Sequence, residues 1–281
     1  MFNFEKKIAL VTGAGSPKGI GQTTAIFLAE HGADVVVSDI LKGDPTHFQK
    51  MYGYDYGAHK GLEDAVTRIK SLGREALAIT ADITKTEEVK KLISSAVKKF
   101  GGLDILVNVA GGAWGPNLID KYDENLWIKT FDVNLFGTFR MVKYALPHLI
   151  KKKGTIINIS SIAAVIHTEY LSAYDASKAG IVSLTASLAL EYGPRGVHSF
   201  AILPGSIQTE LYDMELKATS EILNTPPDDL VKREKEICSL RRIGKPLDIA
   251  KVVAFLCSEY ASFINGISIP VTGGVELRYP Y

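Results

Sequence analysis

Ile8-Ala9-Leu10-Val11-Thr12-Gly13-Ala14-Gly15-Ser16-Pro17-Lys18-Gly19-Ile20-Gly21 decides the fold. A short apolar run with the look of a buried strand passes into a glycine-rich turn, and a helix from Gln22 to His31 is expected to follow. Strand, glycine turn and helix in that order let backbone N–H groups approach a pyrophosphate, with the positive end of the helix behind them. Eighteen residues after Gly21, a second apolar run ends at Asp39. A carboxylate there can accept hydrogen bonds from adenosine ribose hydroxyls and repel a 2′-phosphate, which favours NAD over NADP. The plainer reading of Asp39 is a turn residue. Lys18 points the other way, because it could pair with a 2′-phosphate.

On either side of this stretch, apolar runs alternate with amphipathic stretches, the pattern of βαβ units around a parallel sheet. Strands are expected at Ile8–Thr12, Asp34–Asp39, Ala76–Ala81, Ile105–Asn108, Thr155–Ser160, Val197–Leu203 and Ile267–Val271. Nearly all of their residues are apolar, as suits strands covered by helices on both faces. Leu62, Ala65, Val66, Ile69 and Leu72 recur at helical spacing, as do Val89, Leu92, Ile93, Ala96, Val97 and Phe100. Gly73 and Gly101-Gly102 stop those helices. One long helix is expected over Asp123–Ile150. Two segments break the rhythm. Residues 42–60 read as a long inserted loop with Phe48, Tyr52, Tyr54 and Tyr56, and residues 206–238, with Pro226-Pro227, as a cover over a site.

The 281 residues are 46% hydrophobic and 22% charged, enough for a sizeable core in one domain spanning 1–281. The 32 Lys and Arg nearly cancel the 31 Asp and Glu, so no global field favours nucleic acid or an anionic membrane. Cys238 and Cys257 belong to no metal-binding spacing, so neither a metal nor a disulfide is implied. The first residues lead quickly into a strand, and no apolar run is long enough for a bilayer, so a cytoplasmic location is expected.

Tyr174-Asp175-Ala176-Ser177-Lys178 places a phenol and an ammonium at i and i+4, on one face of a helix. A nearby cation stabilises phenolate, so Lys178 is expected to bring the tyrosine pKa down toward the working range. That spacing is common on helices and decides little alone. Ser161 stands thirteen residues upstream at the end of the Asn158-Ile159-Ser160 strand, where open α/β sheets place ligands. Asn134 adds a polar group to an otherwise apolar helix, where a structural amide is the plainer explanation.

With these residues in order, the chain resembles the short-chain dehydrogenase/reductases from Ile8 to Gly274. The resemblance implies a Rossmann-type, doubly wound parallel sheet of about seven strands with helices on both faces. The family's catalytic Asn, Ser, Tyr and Lys match Asn134, Ser161, Tyr174 and Lys178. Its glycine-rich turn matches Thr12 to Gly21, which implies cofactor contacts from Gly13, Gly15, Ser16, Lys18, Gly19, Ile20 and Gly21. Asp39 and Ile40, then Asp82 and Ile83, would serve the adenosine end. Asn108, Ala110 and Gly111 match its Asn-Ala-Gly turn, while Pro204, Gly205, Ile207 and Thr209 match the segment that holds the carboxamide; Tyr174 and Lys178 would also touch the cofactor.

By the same resemblance, Tyr174 exchanges a proton with an alcohol or ketone oxygen that Ser161 orients, Lys178 holds the nicotinamide ribose, and Asn134 positions a water. The chain departs from the family twice: five residues, not three, separate Gly13 from Gly19, and Val109 replaces an amide. Substrate contacts are expected from Ser161, Ala163, His167, Tyr174, Trp114 and Tyr212, although His167 also reads as a solvated loop residue and Trp114 as core. The expected function is hydride transfer between NAD(H) and a secondary alcohol or ketone. A 3-oxoacyl-(acyl-carrier-protein) reductase is the alternative enzyme, and an NAD-binding sensor the non-catalytic one. The family resemblance also implies a homotetramer, and the tail Leu277–Tyr281 is a candidate for completing a neighbour's site.

Overall fold

The computed structural model describes residues 2–40 and 58–278. Among them seven strands form one parallel sheet: β1 (Ile8–Thr12), β2 (Asp34–Asp39), β3 (Ala76–Thr80), β4 (Ile105–Asn108), β5 (Thr155–Ile159), β6 (His198–Pro204) and β7 (Ser268–Val271). Their order is β3-β2-β1-β4-β5-β6-β7. The chain moves outward from β1 to β3, then crosses back to place β4 on the other side of β1. The turns after β1 and β4 therefore open a crevice where the direction of winding reverses, the usual ligand position in such sheets. Every expected strand is present, with bounds differing by a residue at one or both ends in β3, β5, β6 and β7.

Alternation along the strands explains why both faces are covered. Ala9 and Val11 of β1 pack in one layer with Val35 and Val37 of β2, Ala25 and Leu28 of α1 (Ile20–Glu30), and Leu62, Ala65 and Ile69 of α2 (Ala58–Ser71). Ile8 and Leu10, one residue out of phase, pack in the other layer with Val89 and Leu92 of α3 (Thr86–Phe100). With a side-chain period of two and apolar residues at both phases, each strand needs a helix on each face. The α3 helix ends where Gly101 takes a left-handed φ of 79°, as its sequence implies.

The helix expected over Asp123–Ile150 is interrupted. It comprises α4 (Glu124–Phe131), a π-helical turn at Asp132–Gly137, and α5 (Thr138–Lys152). A π turn adds one residue to a helical circuit and often lies at functional positions. The first helix also starts two residues earlier than expected, at Ile20.

Helix α6 runs Ser172–Tyr192, and the segment expected as a cover holds two helices, α7 (Glu210–Leu223) and α8 (Pro227–Ile237). The last helix, α9 (Pro246–Cys257), packs beside α1. Of the expected loop over 42–60, residues 42–57 lie outside the described residues, and 58–60 form the first turn of α2. The tail positions 279–281 also lie outside them. Among the described residues, no helix is long and apolar enough to cross a membrane.

Candidate active site

The glycine-rich turn is held from three sides. Gly13 has a φ of +65°, and a Cβ there would lie 2.8 Å from the Ala110 nitrogen, so both its conformation and its space require glycine. Thr12 Oγ1 accepts from the backbone N–H groups of Val109 at 3.1 Å and Ala110 at 3.3 Å, fastening the β4 turn to it. A Cβ on Gly61 of α2 would meet the Gly15 carbonyl oxygen at 1.7 Å, and Gln22 Nε2 donates to the Gly61 carbonyl at 2.7 Å. Gly19 caps α1 without a side-chain hydrogen bond, leaving the first-turn N–H groups for an anion. Lys18 is exposed. This glycine cradle fits a dinucleotide pyrophosphate.

Asp39 lies buried at the end of β2. Its Oδ2 accepts from Gly15 N at 2.7 Å and its Oδ1 from Ile40 N at 2.8 Å. Burial pushes this carboxyl up to about 6, and the two backbone donors hold it back only in part. These two bonds tie Asp39 to the glycine-rich turn, and each carboxylate oxygen keeps a further lone pair. Asp82 likewise shapes its own turn, with Oδ1 accepting from Thr84 N at 2.8 Å and Thr84 Oγ1 at 2.7 Å. Ile83 is buried against Gly137 of the π turn.

Asn108, Asn158 and Thr185 form a buried polar chain beneath the crevice. Asn108 Nδ2 donates to Asn158 Oδ1 at 2.8 Å, and Asn158 Nδ2 to Thr185 Oγ1 at 3.0 Å. The chain links β4 through β5 to α6. Val109, which replaces an amide of the family pattern, packs against the core instead. Sequence reading misses the structural role of Asn158 and Thr185, although an amide between two isoleucines in a fully buried strand is the available signal.

The four residues that match the family's catalytic positions stand around this crevice. Asn134, fully buried in the π turn, donates from Nδ2 to the Gly112 carbonyl and to Ser177 Oγ, each at 2.9 Å, and its Oδ1 accepts from Gly112 N at 2.9 Å. Ser177 in turn donates to the Tyr174 carbonyl at 2.8 Å. A Cβ on Gly111 would lie 2.7 Å from Asn134 Oδ1 and 3.3 Å from Lys178 Nζ, so these two groups converge on one glycine. Lys178 Nζ donates to the Ile159 carbonyl at 3.0 Å and lies 5.5 Å from the Tyr174 ring centroid. Ser161 stands close enough to Tyr174 to hold its phenol down in part, and its Oγ accepts from Ala163 N at 3.1 Å.

One electrostatic expectation is reversed. Burial pushes the Tyr174 phenol up to about 12, opposed by the nearby Ser161 hydroxyl and reinforced by Glu215 and Asp175. Burial also brings Lys178 down to about 8. The ammonium faces a strand carbonyl and the ring, and desolvation of both groups outweighs the expected charge effect. In the folded chain itself Lys178 does not bring Tyr174 down to the working range.

The other site candidates divide. Ala163 is buried in the short turn after Ser161, and Trp114 is buried with its ring against Gly112. His167 is 69% exposed on its side chain and faces Asp175 at 3.6 Å, beside a cavity of about 690 Å³ also lined by Tyr170, Ser172 and Ala179. Pro204 ends β6, Gly205 N donates to the Val271 carbonyl at 3.2 Å, and Ile207 is buried beside Gly244. Thr209 caps α7, its Oγ1 accepting from Tyr212 N at 3.1 Å. Burial pushes the Tyr212 phenol up, and the nearby charge of Glu234 raises it further. Glu210 and Glu215, both missed in the sequence, lie on α7. Burial and the charge of Glu234 push Glu215 up to about 7.

Known proteins share this arrangement of elements. A family model described as enoyl-(acyl carrier protein) reductase matches residues 13–276. The 3-oxoacyl-[acyl-carrier-protein] reductase FabG of Staphylococcus epidermidis is 36% identical, over 96% of this chain and 99% of its own. Carveol dehydrogenase from Mycobacterium avium, solved in complex with NAD, superimposes with a TM-score of 0.89 at 27% identity, covering 99% of this chain and 100% of its own. A variant of actinorhodin polyketide ketoreductase, solved with NADPH, gives 0.85 at 28% identity, covering 98% and 99%.

Proposed function

Because the chain belongs to the short-chain dehydrogenase/reductases, a family of NAD(P)-dependent oxidoreductases, we propose that it transfers a hydride between NAD(H) and a secondary alcohol or ketone. The observation that carries this reading is the convergence of Asn134 and Lys178 on Gly111, with Tyr174 and Ser161 beside them. Bound nicotinamide supplies the hydride acceptor or donor and, when oxidised, a positive charge that favours phenolate. Tyr174 takes the proton of the alcohol or gives one to the ketone oxygen. Ser161 orients that oxygen, and Lys178 holds the ribose. Asn134, fixed on Gly112 and Ser177, presents the π turn around which a proton-relay water would sit.

Gly13, Gly15, Ser16, Gly19, Ile20 and Gly21 would hold the pyrophosphate, and Asp39 with Ile40, Asp82 and Ile83 the adenosine. Asn108, Ala110 and Gly111 would flank the nicotinamide ribose, and Pro204, Gly205, Ile207 and Thr209 the carboxamide. Asp39 supports NAD over NADP, since a 2′-phosphate would meet a carboxylate held by Gly15 and Ile40. Residues 206–238 are the substrate cover. Phe136 and Phe139 near the start of α5, Leu190 on α6 and Phe263 near the C-terminus are exposed, which supports assembly into a homotetramer. We place this activity in the cytoplasm.

The likeness to FabG supports a second reading, reduction of 3-oxoacyl groups on an acyl carrier protein. Reduced-nicotinamide absorbance with a panel of secondary alcohols, polyols and 3-hydroxyacyl thioesters separates the two. Turnover of free alcohols with NAD supports the first reading. Turnover confined to acyl thioesters with NADP overturns it in favour of the second.

A further inference from the structure

Ser16, buried in the glycine-rich turn, donates from Oγ to Glu210 Oε2 at 2.5 Å. The two residues are 194 positions apart and belong to different functional elements: the turn that would seat the pyrophosphate, and the first residue of the cover helix α7. A hydroxyl-to-carboxylate bond of this length is charge-assisted and roughly twice as strong as a neutral one.

Both ends of the contact sit where movement would matter. On the turn side, Ser16 O accepts from Gly19 N at 2.9 Å, so Ser16 sets the approach to the first turn of α1. On the cover side, the chain just before Glu210 is anchored, because Gln208 N donates to the Gly244 carbonyl at 2.8 Å and Gly244 N to the Ser206 carbonyl at 3.0 Å. The anchored segment ends and α7 begins at Thr209-Glu210, which makes this pair the joint of the cover.

We infer that Glu210 is an internal competitor of the cofactor's pyrophosphate, and that a dinucleotide must displace its carboxylate from Ser16 to be seated. This rests on the dinucleotide reading of the glycine turn and adds a positioning residue to it. Pyrophosphate and carboxylate both require the Ser16 proton, and two anions at one donor repel. Displacement releases the joint of α7, so cofactor seating and cover movement become one event. Glu210 thereby lowers dinucleotide affinity while coupling that binding to the substrate side.

The test is calorimetric titration of the full-length wild type, Glu210→Gln, Glu210→Ala, Ser16→Ala and the Ser16→Ala/Glu210→Ala pair with NAD and with ADP-ribose. Glu210→Gln and Glu210→Ala should bind both about five- to tenfold more tightly, and the effect of Glu210→Ala should vanish in the Ser16→Ala background. A merely structural role for Glu210 at the start of α7 would leave ADP-ribose binding unchanged or weaken it, and that result overturns the inference. Wild type that binds neither ligand overturns the dinucleotide reading itself. Circular dichroism of each variant identifies a loss of binding that comes from misfolding, and Glu210→Gln, which keeps length and polarity, provides the gain in affinity that misfolding cannot imitate.

Discussion

Lys178 donates from its ammonium to the carbonyl oxygen of Ile159 at 3.0 Å, the last residue of the strand that leads to Ser161. One contact therefore fixes α6 to the strand end and partly replaces the water that burial removes from the lysine. Replacing Lys178 by Met should lower kcat/KM by about 10²–10³ and weaken NAD binding, with Tm reporting that the fold survives. Unchanged NAD affinity would argue against the ribose role.

Tyr174→Phe should reduce turnover in both directions by at least about 10³, with NAD affinity kept within a few-fold, because the variant removes the hydroxyl that exchanges the proton and keeps the ring. Retained turnover in a stopped-flow or steady-state assay would move the acid/base role elsewhere.

The pH dependence has a defined sign. The phenol lies up to about 12, above the working range, and alcohol oxidation needs it deprotonated. The phenolate fraction grows as pH rises toward that pKa, so kcat/KM for oxidation should climb from about pH 6 to about pH 7.5, below the range near 8 where Lys178 gives up its proton. Ketone reduction, which uses the protonated form, should not climb. A flat oxidation profile would contradict Tyr174 as base.

Much of this architecture is legible in the sequence, and the exceptions have physical causes. Strand positions follow from apolar residues at both phases of a period of two, while Asn134, Ser161, Tyr174 and Lys178 are picked out by the family resemblance, since the spacing of Tyr174 and Lys178 alone decides little. The π turn leaves no trace, because Asp132 to Gly137 keeps a helical pattern whether the circuit holds one residue more or fewer. Asp39 shows in the sequence what it would offer a ligand, whereas its bonds to Gly15 and Ile40 depend on the shape of a turn that is two residues longer than the family's. Glu210 escapes notice because its partner, Ser16, is distant in sequence and near only in the fold. Desolvation of Tyr174 is likewise a property of the packed site, which residue spacing does not carry.

Asp39→Asn should improve NADP binding by about tenfold relative to NAD, since it removes one negative charge while keeping an acceptor for Gly15. The carboxyl lies up to about 6, so in wild type the preference for NAD should also weaken as pH falls through about 6 and the carboxylate gains a proton. The NADP phosphate titrates nearby, so the part of the slope absent from Asp39→Asn is the part due to Asp39. Dissociation constants at about pH 5 and about pH 8 for both proteins decide it.

Asn158→Leu should destabilise the protein by about 1–3 kcal/mol, because Asn108 and Thr185 each lose a buried partner. Thermal melts measure the loss. A matching fall in kcat would show that the polar chain also holds α6 in register.

The single extra residue in the Asp132–Gly137 turn makes the active site resistant to one kind of improvement. Deleting it to give a regular helix would swing α4 by about 100° relative to α5, the angle that one residue subtends. Thr130 under Trp114 and Asn134 against Gly112 would then be alternatives. A redesign that smooths this helix for stability would be expected to yield a tougher protein with its amide facing the wrong neighbour, so the irregularity is better treated as part of the reagent than as a flaw in the scaffold.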